Sequence, residues 1–235
     1  MTDVSLHGPD LSPRANALRR PRPSTSKDRA MGNNRRVWCL ATGAFFISVI
    51  SYFFIDLPVA RYFHALSQET RDLFEWITKA GVSTLYLIVS FVLFVFFRWI
   101  RQKSRYADRA LLFFSSIALS GIVTNIVKFM VGRLRPKVWF ESGLYGFDPF
   151  RVGYEFNSFP SGHATTVFAI AVTCSFLLPK YRTLFFLFAA TVALSRLVLN
   201  AHYLSDVFAG ACIGMTTAIV IERYIPVRSP RTASG

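Results

Sequence analysis

The sequence predicts an all-α, polytopic integral membrane protein: a six-helix bundle with a polar site at its outer membrane interface. Three observations predict it. The apolar residues, 52% of the 235, fall in uninterrupted blocks rather than in stripes of period 2 or 3.6. Blocks of that length read as bilayer-spanning helices. The net charge of +14 is carried mostly by Lys and Arg lying between the blocks, the pattern of cytoplasmic loops in a membrane protein. Finally, three polar clusters interrupt the pattern at block ends, and the span count puts all three on one face of the membrane.

Taken in order, residues 1–36 hold Arg14, Arg19, Arg20, Arg22, Lys27, Arg29, Arg35 and Arg36 among Pro, Ser and Asn. Such a segment buries no core and is expected to be a disordered cytoplasmic tail. Its charges either favour an anionic leaflet or simply fix orientation. The membrane domain is expected over 37–222. Its first block, 37–55, has the basic flank of a signal peptide. It is too long for a signal core and no small-residue cleavage site follows, so it reads as a retained anchor. Residues 58–77 mix Arg61, His64, Glu69, Arg71, Asp72 and Glu75 with Phe and Leu, which predicts an amphipathic segment in the interface.

Further spans are expected at 80–99, 110–131, 162–178, 184–200 and 204–221, with a basic tail over 223–235. Six spans put both termini on one side. Most of the 27 Lys and Arg residues lie in the N-terminal tail, the loop around 98–109, the turn at 180–182 and the C-terminal tail. The positive-inside rule makes these cytoplasmic and the long polar loop 132–161 external. The spans leave no soluble domain to read a nucleic-acid groove, so the basic charge does not imply nucleic acid. Cys39, Cys174 and Cys212 lie in apolar blocks with no CxxC pair, and are expected to be small buried residues.

The first cluster is Lys128-Phe-Met-Val-Gly-Arg-Leu-Arg-Pro136, with Lys128, Arg133 and Arg135 at the outer end of the third span. A charge there is costly in apolar surroundings, although an ammonium can also snorkel to the interface. The second is Phe159-Pro160-Ser161-Gly162-His163. Ser161 is a good helix cap, the N–H groups of the first turn are free to bind an anion, Gly162 admits close approach to the backbone, and His163 can donate a proton. In isolation it is an ordinary turn and cap. The third is Ser195-Arg196, His202 and Asp206. An Asp four residues after a His can accept from one imidazole nitrogen and leave the other free to attack, or form a plain ion pair at a helix end. Together the clusters offer several cations, two histidines, a carboxylate and a helix N-terminus. Phosphoryl transfer needs that inventory. Residue types alone do not rank His202 over His163 as the nucleophile.

The three stretches resemble the ordered pattern K-xxxxxx-RP, PSGH and SR-xxxxx-H-xxx-D of the type 2 phosphatidic acid phosphatase superfamily, matched over 128–206 with no departure at the defining positions. The resemblance implies a membrane lipid phosphatase in which His202 attacks phosphorus and becomes phosphohistidine. Asp206 would orient His202, and His163 would protonate the leaving oxygen and later activate water. Lys128, Arg135, Arg196, Ser161 and Gly162 would hold the phosphoryl oxygens. No metal and no other cofactor is expected, since His7, His64, His163 and His202 form no zinc-type set. The implied partners are the lipid bilayer and a phospholipid, lipid A or polyprenyl phosphate. Among bacterial relatives in the superfamily are lipid A, phosphatidylglycerophosphate and undecaprenyl diphosphate phosphatases, and lipid A is the first choice here. The expected location is a bacterial inner membrane with the site on the periplasmic side, and the loop 137–158 is expected to shape selectivity. A lipid phosphotransferase would use the same phosphohistidine with a different acceptor. A non-catalytic anion transporter is the remaining alternative. The superfamily's soluble vanadium haloperoxidases have a similar anion pocket, but six apolar blocks argue against a soluble enzyme.

Overall fold

The computed structural model describes Cys39 and residues 42–225. The tail expected over 1–36 and most of the tail expected over 223–235 lie outside the described residues. Those described form helices joined by turns, with an isolated bridge between Arg133 and Phe147 and no sheet.

Helices α1 (Thr42–Phe54) and α2 (Asp56–His64) meet at a bend of 65°. The end of α2 is closed by Arg71, whose Nη2 donates to the carbonyls of Phe63 (3.1 Å) and His64 (2.7 Å), groups that a helix terminus leaves without intrahelical partners. Helix α3 (Gln68–Lys79) starts on Ser67, whose hydroxyl accepts from the Thr70 N–H. After a short break follows α4 (Ser83–Val95), and the two make one helical run, Gln68–Ile100, of 33 residues. The segment 58–77, expected as one amphipathic stretch, is therefore divided. Its first part is α2, and its second part lengthens the run that carries the second apolar block.

Helix α5 (Ser104–Val131) stops at Gly132, whose φ of 59° is left-handed. A side chain there would also collide with the Asp148 carbonyl, so glycine both ends the helix and admits the returning loop. That loop is not irregular throughout: Pro136 starts a short helix, α6 (Pro136–Ser142), a position that suits a residue with no N–H.

The last three helices are α7 (Gly162–Leu177), α8 (Arg182–Val198) and α9 (Leu204–Tyr224). Helix α7 is the centre of the bundle, packed on α5, α8 and α9, with Ala164, Val167, Ala169 and Ala171 buried. Its closest neighbour is α9. A Cβ at Gly210 would strike the Ser161 backbone, and one at Gly214 the Thr165 carbonyl. This small-xxx-small spacing lets two backbones touch where lipid offers no hydrophobic drive to associate.

Gln68–Ile100, Ser104–Val131, Pro179–Val198 and Leu204–Tyr224 are long and apolar enough to cross a membrane, and the bent pair α1–α2 makes a fifth candidate. Helix α7 is apolar but has 16 residues, about 24 Å of rise. Phe46, Phe53, Leu85, Phe91, Ile122 and Leu187 face outward on the peripheral helices, a display of apolar surface that a protein in water avoids. Cys174 is partly buried and Cys212 buried, as expected of small apolar residues, whereas Cys39 is exposed near the head of α1.

Candidate active site

The three sequence clusters meet at one end of the bundle. The Ser161 N–H donates to the Asp206 carbonyl (2.9 Å), the Ser158 N–H to the Arg133 carbonyl (3.0 Å) and the Arg135 N–H to the Glu155 carbonyl (2.9 Å). These bonds tie the end of α5, the loop before α7 and the first turn of α9 into one frame.

Ser161 caps α7 and its hydroxyl accepts from the Ala164 N–H. Gly162 is the first helical residue, and the space where its Cβ would stand is open. The amides of this turn are thus approachable by an anion. His163 follows, backed by Gly81 in the break between α3 and α4, where a Cβ would run into the imidazole.

Lys128 donates to the Asn157 carbonyl. Arg135 reaches the same carbonyl from Nη2 (3.2 Å), and also donates to the carbonyls of Tyr154 (Nε, 2.7 Å) and Ala201 (Nη1, 2.8 Å). These bonds fix its planar fork yet leave N–H groups over for a phosphoryl oxygen. Arg196 is anchored by Nη1 on Thr78 Oγ1 (2.6 Å), and its buried Nε has no partner. The charges of Lys128, Arg135 and Arg196 all act on His163. Three like charges converging this closely want an anion among them.

His202 lies in the turn between α8 and α9, a turn closed on the Arg196 carbonyl by the N–H groups of Ala201 and His202. Its side chain is buried. Burial, together with the charges of Arg135 and Lys128, pushes its pKa down to about 3 against the opposing pull of Asp206, so at neutral pH the imidazole is uncharged.

The expected hydrogen bond from His202 to Asp206 is replaced by another. Nδ1 stands 3.6 Å from Asp206 Oδ2, beyond hydrogen-bond range, but 2.7 Å from the Ser158 carbonyl. Helical spacing does not apply to the pair, because α9 starts at Leu204 and His202 precedes it. Asp206 is the third residue of that helix and serves its cap: Oδ2 accepts from the Tyr203 N–H (2.8 Å) and from Ser158 Oγ (2.6 Å). A carbonyl only accepts, so Nδ1 carries the proton and Nε2 keeps a free lone pair.

Sequence reasoning named Arg133 but gave it no role, and it missed Asp56 and Ser158. Arg133 is buried and bridges two buried carboxylates, donating from Nη2 to Asp56 (2.7 Å) and from Nη1 to Asp206. The Asp206 and Asp56 carboxylates hold its guanidinium above the ordinary arginine range despite the burial. One signal pointed to this: Asp56 is a lone acid at the end of an apolar block, and such a charge needs a partner.

The PAP2 superfamily pattern matches residues 109–230. A lipid A 1-phosphatase of Rhizobium etli is 40% identical over 114 residues, 47% of this chain and 49% of that protein. One of Rhizobium johnstonii is 41% identical over 118 residues, 48% of each chain. The chain thus spans about half the length of the curated relatives it matches. Among solved structures it is similar to Aquifex aeolicus LpxE, with TM-score 0.54, 24% identity, and coverage of 72% of this chain and 96% of that one. It is also similar to a PAP2-type phosphatidylglycerolphosphate phosphatase of Bacillus subtilis, with TM-score 0.56, 20% identity, and coverage of 83% and 94%. At these identities the two structures establish the fold.

Proposed function

Because this chain belongs to the PAP2 superfamily, we propose that it is a metal-independent phosphatase of the membrane, cleaving a lipid or polyprenyl phosphate through a phosphohistidine on His202. The observation that carries the reading is the 2.7 Å contact of His202 Nδ1 with the Ser158 carbonyl, which leaves Nε2 as the attacking atom in the field of Lys128 and Arg135.

Nε2 bonds to phosphorus while the phosphorus–oxygen bond to the lipid breaks, and His163, entering as the imidazolium that a neighbouring phosphate favours, gives its proton to the departing oxygen and becomes neutral. Water then attacks the phosphohistidine and yields its proton to His163, and inorganic phosphate leaves with both histidines restored. The three cations and the α7 amides hold the equatorial oxygens, where charge is concentrated in the transition state. Asp206 supplies a nearby negative charge for the imidazolium formed on attack.

In this reading α1–α2 form one bent span, α3–α4 a second, and α5, α7, α8 and α9 the rest, giving six. Both termini are cytoplasmic, and the site opens on the periplasmic side of a bacterial inner membrane, where a head group rests while its tails stay in lipid. Lipid A is the first substrate to try, in line with the relatives' names.

The test is release of inorganic phosphate by the purified full chain from lipid A, phosphatidylglycerophosphate, undecaprenyl diphosphate and phosphatidic acid, each with and without an acceptor lipid. Release from at least one without acceptor supports hydrolysis. Phosphate that appears only on the acceptor lipid replaces hydrolysis with transfer, and no loss of phosphate from any of them ends the reading.

A further inference from the structure

We propose that Asp56, acting through Arg133, positions and charges the nucleophile's surroundings, so that the bend between α1 and α2 is a working part of the site. This rests on the phosphatase reading above. Asp56 lies well outside the family-matched segment 109–230, in a part of the chain where the sequence motifs assign no role.

Asp56 is the first residue of α2, at the bend, and is fully buried. Its contacts with Ser205 and Arg133 lead to the nucleophile's neighbourhood, and Ser51 and the Tyr145 hydroxyl complete its shell. Oδ1 accepts from Ser51 Oγ (2.8 Å) and from the Ser205 N–H in the first turn of α9 (3.0 Å). Oδ2 accepts from Arg133 Nη2 (2.7 Å) and from Ser205 Oγ. Arg133 Nη1 donates in turn to Ser205 Oγ and to Asp206. From there Asp206 holds Ser158 Oγ, the Arg133 carbonyl holds the Ser158 N–H, and the Ser158 carbonyl holds His202. Ser158 is therefore pinned at both its amide and its hydroxyl by groups that Asp56 anchors. Arg133 is boxed by the rings of Tyr203, Tyr52, Tyr145 and Phe147, whose centroids lie 4.4 to 5.7 Å from its guanidinium carbon. Those faces favour a cation and leave it little freedom.

The charge count gives the arrangement a chemical sense beyond packing. One guanidinium is shared by two carboxylates, so the cluster keeps one net negative charge. If Arg133 answered to Asp206 alone, it would neutralise the carboxylate 3.6 Å from His202. With Asp56 taking part of that interaction, Asp206 stays electronegative toward the imidazole as attack makes the ring positive. Asp56 touches none of Lys128, Arg135 or Arg196, so its effect belongs to the chemical step and not to ground-state binding.

The experiment compares the wild-type full chain with Asp56→Asn, purified in detergent and checked for folding by size exclusion and thermal melting. The expected result is a fall in kcat of about tenfold or more with KM unchanged within about twofold. Ser205→Ala, which removes the hydroxyl joining Asp56 to Arg133, should show the same split at about threefold or more, and it decides the matter if Asp56→Asn does not fold. A folded Asp56→Asn with wild-type kcat, or with its whole loss in KM, overturns the proposal. If the wild type releases no phosphate from any lipid phosphate, the phosphatase reading fails by itself. The Nδ1–H resonance of His202 in 15N-histidine NMR then decides the positioning. It should shift or split in Asp56→Asn, and an unchanged resonance overturns the inference.

Discussion

The Ser158 carbonyl oxygen stands 2.7 Å from Nδ1 of His202, and that contact, rather than a direct bond to Asp206, sets the tautomer of the imidazole. Asp206 works one step back, gripping the Ser158 hydroxyl at 2.6 Å and lending its charge from 3.6 Å. A backbone carbonyl is a steady partner for an imidazole, because it cannot be protonated away in the physiological range.

The buried, neutral state of His202 makes folding stability depend on pH. Its pKa is about 3 in the fold against an ordinary 6.5, so between these values the unfolded chain binds the extra proton. Stability from this group is fully present above about 6.5 and is lost as pH falls toward 3. Melting temperatures in detergent should drop over that window more steeply for wild type than for His202→Gln. Parallel slopes in the two proteins would contradict the assignment.

His163 sits in the first turn of α7, beside open space at Gly162 and in the field of three cations. As the proton donor to the leaving oxygen, its replacement by Ala should lower kcat by roughly 10²–10⁴-fold. A substrate with a good leaving group, such as p-nitrophenyl phosphate, should recover much of the loss. A change within twofold on the lipid substrate removes His163 from the mechanism.

In the proposed mechanism Lys128, Arg135 and Arg196 do the work that a divalent ion does in many phosphoryl-transfer sites. Phosphate release should therefore persist in excess EDTA. Activity that disappears with chelator and returns with one specific divalent ion would point to a different chemistry.

The approach of α9 to α7 depends on Gly210 and Gly214. Either residue changed to Leu drives a side chain into the backbone at Ser161 or Thr165, and overpacking of this kind costs about 1–3 kcal/mol or more. We expect a lowered melting temperature for both. Gly210→Leu should also reduce activity, since it displaces the cap of α7. A fully active, wild-type-stable Gly210→Leu would show that the helices can part without harm to the site.

Much of this was legible in the sequence, for physical reasons that can be named. The apolar blocks marked the helices because a bilayer demands long unbroken stretches, and Ser161 marked the start of α7 because a hydroxyl there meets a bare N–H. Gly132 marks the end of α5 because its left-handed backbone suits a glycine and stops the helix at Val131. What sequence spacing could not reveal was contact across long separations. His202 and Asp206 suggested a helical pair, but the helix starts between them. Ser158 carried no motif, because its contact with His202 is made by a main-chain carbonyl that every residue possesses. Asp56 and Arg133 are 77 positions apart, and only the bend after α1 brings them together. The lengthening of the second span into α3 was hidden by its polar face, which reads equally well as a surface helix.

In the proposed mechanism His202 carries the phosphoryl group between substrate and water. The most direct measurement is rapid quenching of turnover on a 32P-labelled lipid phosphate into alkali, followed by peptide mapping. An alkali-stable, acid-labile label is expected on His202, absent in His202→Ala and built up when His163→Ala slows its hydrolysis. Steady turnover with no labelled protein at any time, or the same label in His202→Ala, would contradict it.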